Sequence, residues 1–106
     1  MRQLKIRPPQ TEKEWQSTVT EYAKLMGWKH YHTHDSRRSA PGFPDLILLR
    51  PPRMIAIELK SEKGQPPTMA QREWLEAFAA CQVPTYVWRP SDWPSVCRIL
   101  GKEIEP

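Results

Sequence analysis

The chain has 106 residues, with 16 Lys and Arg against 12 Asp and Glu, a net charge of +4 and a pI near 9.3. That length accommodates one domain around one core, not two. No apolar run approaches the ~20 residues that span a bilayer, and the charged, proline-bearing N-terminus lacks the apolar segment of a signal peptide, so a soluble, intracellular (cytoplasmic) protein with no membrane partner is expected.

Residues 1–10 carry three basic side chains and two prolines without periodicity and read as a flexible arm. Thr11 then suits a helix N-cap, with Glu14 completing a capping box. Trp15, Val19, Tyr22, Ala23 and Met26 recur at helical spacing, which predicts a helix to Met26 that stops at Gly27. Glu14 is thereby explained as a cap. Glu12 is not: it shares a face with Gln16, four residues on, and in structural terms is a first-turn acid favoured by the helix dipole. Trp28 to Thr33 reads as the first strand, along which His30, His32 and His34 alternate. Three such histidines can bind zinc or copper, but no carboxylate partner stands behind them, and the preferred reading is solvent-facing or phosphate-contacting. Asp35 to Pro41 is a polar loop.

The stretch from Gly42 to Lys60 organises the rest. Gly42-Phe43-Pro44-Asp45 leads into an apolar run, Leu46 to Leu49, and Arg50-Pro51-Pro52-Arg53 separates it from a second, Met54 to Ile57, before Glu58-Leu59-Lys60. Two short apolar runs about a turn predict a β-hairpin. If the hairpin is symmetric about Pro51-Pro52, Asp45 lies opposite Glu58, and Lys60 shares the Glu58 face by strand alternation. Proline cannot take the positive φ of a tight two-residue turn, so a looser loop with a slipped register is the alternative. Two carboxylates this close repel unless a cation lies between them, and a hard divalent ion with oxygen ligands is the natural occupant. Lys60 beside it would orient or deprotonate a water, or neutralise charge in the transition state. The structural alternative is a solvent-exposed ion pair at the end of a hairpin. The loop position of Arg37 and Arg38, just before this site, makes them candidates for gripping a nucleic-acid backbone.

Beyond Lys60, Ser61 to Pro67 is a loop in which Lys63 offers a further phosphate contact. Thr68 caps a second helix through a Thr-x-x-Gln box with Gln71, and Trp74, Leu75, Phe78 and Ala79 mark its apolar face. Val83 to Trp88 predicts a strand parallel to the one holding Glu58, with Arg89 emerging at the Lys60 edge, where a phosphate would lie. Ser91 to Leu100 predicts a last helix ended by Gly101, and 102–106 a tail. Cys81 and Cys97, far apart, read as reduced core thiols.

Pro44-Asp45 followed by Glu58-Leu59-Lys60 resembles the PD-(D/E)XK nuclease superfamily, and Gly42-Phe43-Pro44-Asp45-Leu46 resembles its VRR-NUC (virus-type replication-repair nuclease) branch. The likeness runs in motif order from about Thr11 to Arg89. It implies an α/β fold with a restriction-endonuclease-like core: a mixed sheet of about four strands in the order αβββαβ, forming a single nuclease domain over 11–101. It further implies that Asp45, Glu58 and the Leu59 carbonyl hold Mg2+ or Mn2+, with Glu12 joining the metal site ahead of Gln16, and that Lys60 and Gln71 assist. The implied function is a metal-dependent deoxyribonuclease. Small stand-alone members are similar in size to Holliday-junction resolvases and act as dimers, which points to branched or flapped DNA. Trp28, Tyr31, Trp88 and Trp93 are the candidate interface aromatics if they are not core. The alternatives are a non-catalytic nucleic-acid-binding module and a metal-binding regulator that uses the histidines.

Overall fold

The computed structural model describes residues 10–33 and 39–102. The expected arm at 1–9, His34, Arg37 and Arg38, and the tail beyond Lys102 lie outside them. The elements in order are α1 (Glu12–Leu25), β1 (Lys29–His32), β2 (Leu46–Arg50), β3 (Arg53–Leu59), α2 (Met69–Ala80), β4 (Thr85–Trp88), a 3-10 turn (Pro90–Asp92) and α3 (Trp93–Leu100). Four strands form one sheet in the order β1-β2-β3-β4, antiparallel except for the parallel pair β3 and β4. This is the expected α/β order, with α3 added at the end.

The hairpin register is the symmetric one: Leu46 pairs with Ile57 and Arg50 with Arg53, about a cis Pro51–Pro52 peptide. Turns with a cis-proline at their third position reverse the chain without any residue at positive φ. Leu46, Leu48, Ile55, Ile57 and Leu59 are fully buried, together with Trp15, Val19 and Ala23 of α1 and Val96 and Leu100 of α3. Unbroken burial along β3 from Ile55 to Leu59 reflects cover on both faces of the strand, the condition in which runs stay apolar instead of alternating. Trp28 and Trp88 are also core, and Trp93 packs edge-on against Trp15 and Tyr22 with ring centroids 6.0 and 5.3 Å away. Of the four aromatics considered for an interface, Tyr31 alone is largely exposed, at 62%. Cys81 is exposed instead of buried, because it caps the end of α2 where the chain leaves the core.

Several polar contacts lock the layers. The Arg50 guanidinium donates to the carbonyls of Met26 (2.8 Å), Leu100 (3.0 Å) and Gly101 (3.3 Å), closing the ends of α1 and α3 against the hairpin turn. Gln10, read from sequence as part of the arm, donates to Thr18 Oγ1 at 3.1 Å and so belongs to the start of α1.

The Gly42-Phe43-Pro44-Asp45 segment is fixed against α2. Phe43 stacks edge-on with Trp74 (4.9 Å) and Phe78 (5.9 Å), while Trp74 Nε1 donates to the Pro41 carbonyl at 3.1 Å. Gly42 has φ +83°, and a Cβ there would fall 2.5 to 2.7 Å from the backbone of Ala70 and Gln71. Glycine is required on both counts. Gly42→Ala is therefore expected to destabilise the protein by about 1–3 kcal/mol in urea unfolding; a loss below ~0.5 kcal/mol, the level of an ordinary surface change, would mean that the loop does not press on α2.

Candidate active site

The strand geometry delivers the carboxylates. Asp45 sits one residue before β2, and the Leu46–Ile57 pair places it opposite Glu58. Asp45 Oδ2 accepts the Leu59 backbone N–H at 2.8 Å, so its side chain is anchored from across the hairpin. Hydrogen bonds to charged groups of this kind contribute about 1.5–3 kcal/mol. Glu58 is only 1% exposed. Its Oε2 receives Gln71 Nε2 at 2.6 Å and lies 3.6 Å from Lys60 Nζ, whereas its Oε1 is buried without a donor. The Asp45 carboxylate faces Glu58 across the end of the hairpin, and like charges so placed favour a bound proton or a cation. Burial first, then the charge of Asp45, pushes the Glu58 carboxyl up to about 8, with Lys60 opposing.

Lys60 and Gln71 complete the cluster. Lys60 shares the Glu58 face, as strand alternation requires, and its Nζ donates to Gln71 Oε1 at 3.1 Å. Lys60 N donates to the Trp88 carbonyl at 3.0 Å, and the same oxygen accepts Trp15 Nε1 at 3.0 Å. One acceptor thus ties α1 and β4 to the lysine. Gln71 caps α2 and also reaches the cluster. Its Oε1 accepts Thr68 N–H (2.8 Å) and its own N–H donates to Thr68 Oγ1 (3.1 Å), a complete capping box, while its amide nitrogen reaches Glu58.

Glu14 closes the capping box of α1 with Thr11. Glu12, at the start of that helix, is an exposed residue, but partial burial of its carboxyl and then the charge of Asp45 raise its pKa, with Lys60 acting to lower it. It therefore feels the cluster from outside. Glu12 and Gln16 line a groove of about 740 Å³ that also takes in Thr20, His30 and His32. The His30 and His32 rings stack, with centroids 6.3 Å apart, on that groove wall. Among the described residues no three His, Cys, Asp or Glu side chains gather into a metal cage, so these two histidines do not build one with the carboxylates. The cluster instead offers two oxygen-only side chains, one with an unpartnered buried oxygen. That set suits a hard cation such as Mg2+, which takes one or two carboxylates and keeps the rest of its shell for water and phosphate oxygens.

Two expected phosphate contacts differ in their setting. Lys63 is exposed on the loop after β3. Arg89 reaches the Lys60 edge, but its Nη1 donates to the carbonyls of Ser61 (2.6 Å) and Gly64 (3.0 Å). The loop turns back on itself and leaves those carbonyls without strand partners, and the guanidinium satisfies them. Arg89 thus clamps the loop that follows Lys60. Trp15 is a positioning residue that sequence reasoning did not find, since an apolar helix position carries no sign of where its indole N–H will point.

The family model for the VRR-NUC domain matches residues 8–92. A solved structure described as "VRR_NUC domain protein" superposes with a TM-score of 0.68 at 25% identity, covering 90% of this chain and 93% of that one. Comparison with curated proteins gives no match.

The raised Glu58 pKa has a consequence for stability. In chelator, the folded chain keeps the Glu58 proton up to about pH 8, whereas the unfolded chain releases it near 4.5. The native state binds the extra proton between those values, so this contribution is full below about pH 4.5 and is lost as pH rises toward 8. The Tm of the wild type relative to Glu58→Gln, which keeps the shape without the titration, should fall between pH 5 and 8.5. A constant difference would mean that Glu58 titrates as an ordinary carboxylate.

Proposed function

The chain belongs to the VRR-NUC domain family, a nuclease-type fold, and from that premise we propose that it is a divalent-metal-dependent nuclease that hydrolyses DNA phosphodiester bonds. The observation that carries the proposal is the buried Glu58 Oε1, left without a donor beside the Asp45 carboxylate. A binding module gains nothing from such a pair, whereas a cation site needs it. Asp45, Glu58 and the Leu59 carbonyl would hold Mg2+ or Mn2+, which when bound supplies Lewis-acid polarisation of a phosphoryl oxygen and a water of lowered pKa.

The protein side chains do the positioning. Lys60 Nζ, paired with Glu58 and donating to Gln71, places positive charge where a phosphate oxygen would gain negative charge. Gln71 fixes both Glu58 and Lys60, so the three move together. Glu12 feels the charges of Asp45 and Lys60 from the start of α1 and would meet the site's water or substrate, with Gln16 beside it on the groove wall. Arg37, Arg38 and Lys63 are proposed phosphate contacts. Among the described residues no element presents side chains in the manner of a base reader, and we assign selectivity to DNA shape: branched or flapped substrates, with a homodimer supplying two sites for the two strands of a junction.

Incubation with linear, flapped and four-way DNA in Mg2+, Mn2+ or chelator tests this reading; cleavage in chelator, or none in either metal, would overturn it. Asp45→Ala and Glu58→Ala should each abolish cleavage in folded protein. Gln71→Ala should lower activity roughly 10–100-fold, as loss of a ligand-orienting partner does. Full activity in any of the three would remove that residue from the mechanism. Replacing Arg37 and Arg38 by Ala should reduce the slope of log affinity against log salt by about 0.9 per lost duplex phosphate contact. An unchanged slope would place that loop away from the DNA.

A further inference from the structure

At the turn end of the hairpin, away from the carboxylates, lies a second concave surface. It is a hollow of about 700 Å³, and the described residues that line it are Arg50, Arg53, Arg98, Ile99, Gly101 and Lys102, four cations and no acid. Arg50 has a complete structural account, since it neutralises the carbonyl ends of α1 and α3. With those carbonyls served, Arg53, Arg98 and Lys102 are surplus to helix capping. All three are exposed. Arg53 is nonetheless held in place, its guanidinium 5.0 Å over the Trp28 ring, and Arg98 is steadied by Ser95 Oγ at 3.2 Å. Three like charges around one hollow, two of them held in place, repel each other, and an entering polyanion relieves that repulsion.

The spacing decides which part of a polyanion it takes. Five residue steps of extended strand separate Asp45 from Arg50, roughly 17 Å at ~3.4 Å per residue. Along the axis of a duplex that is about five base pairs, at ~3.4 Å each. We infer that Arg53, Arg98 and Lys102 form a second phosphate site that grips the backbone of one substrate arm about five base pairs from the scissile bond. The inference rests on the nuclease reading for its ligand. It makes the protein measure duplex beyond the cleavage point, so that the substrate is an end or branch with an intact arm, held at two places.

The test is equilibrium binding of flapped DNA in chelator across a salt series. The wild type is compared with Arg53→Gln/Arg98→Gln/Lys102→Gln and with Arg98→Gln/Lys102→Gln, which leaves the Trp28 contact alone, after melting curves show each variant folded. The slope of log affinity against log salt should fall by up to about 2.7 in the triple variant and about 1.8 in the double. Shortening the duplex arms one at a time should cost the wild type affinity in a step near five base pairs, and the step should vanish in the triple variant. If the wild type binds DNA but slope and arm-length step are the same in all three proteins, the hollow is not a phosphate site and the nuclease reading stands. If the wild type itself shows no salt-dependent DNA binding, both ideas fail.

Discussion

The Asp45–Glu58 contact is the constraint around which the structure is arranged. Two carboxyl groups that face each other across a hairpin end, one of them buried, repel whenever both are ionised. The surroundings hold them there. The Leu59 N–H pins Asp45, the Gln71 amide and Lys60 hold one oxygen of Glu58, and the register of an apolar hairpin forbids the strands from sliding apart. A one-residue slip would part Asp45 from Glu58 and turn every side chain of a strand to the opposite face, breaking the packing of Leu46, Leu48, Ile55 and Ile57. The hydrophobic core thus enforces an electrostatic arrangement that charge alone would reject, and stored tension of this kind is typical of functional sites.

The sheet and α2 converge on the same few residues. Gly42 lets the loop touch the first turn of α2, Phe43 wedges under Trp74 and Phe78, and Asp45 is thereby delivered to the strand end that faces Gln71. On the other side, Trp15 of α1 and the Lys60 backbone share the Trp88 carbonyl. Elements distant in sequence are coupled through a handful of hydrogen bonds, each buried enough to be costly to leave unmade.

Much of this was legible in the sequence wherever local chemistry decides the outcome. The hairpin register is the symmetric one of the two that the sequence leaves open about Pro51-Pro52. Both helix starts followed from their capping boxes, which depend only on residues three apart. What was illegible depends on the far ends of long side chains. Arg89 looks free at a strand end, yet carbonyls 25 to 28 residues earlier in the chain claim it. Arg50 looks like turn punctuation, yet it closes two helices. Trp28 and Trp88 read equally well as surface or core, since aromatic residues serve both, and only the packing of α1 and α3 over the sheet decides.

The two sets of contacts made by Gln71 tie the geometry of this cluster to helix fraying. The first turn of a helix is its least protected part, and it opens locally at a lower free energy than the domain unfolds. When the turn at Thr68 opens, the Gln71 amide leaves with it, Glu58 and Lys60 lose their common partner, and the site loosens while the sheet beneath remains intact. Local opening at one capping box therefore loosens this cluster at a lower free energy than melting the core requires.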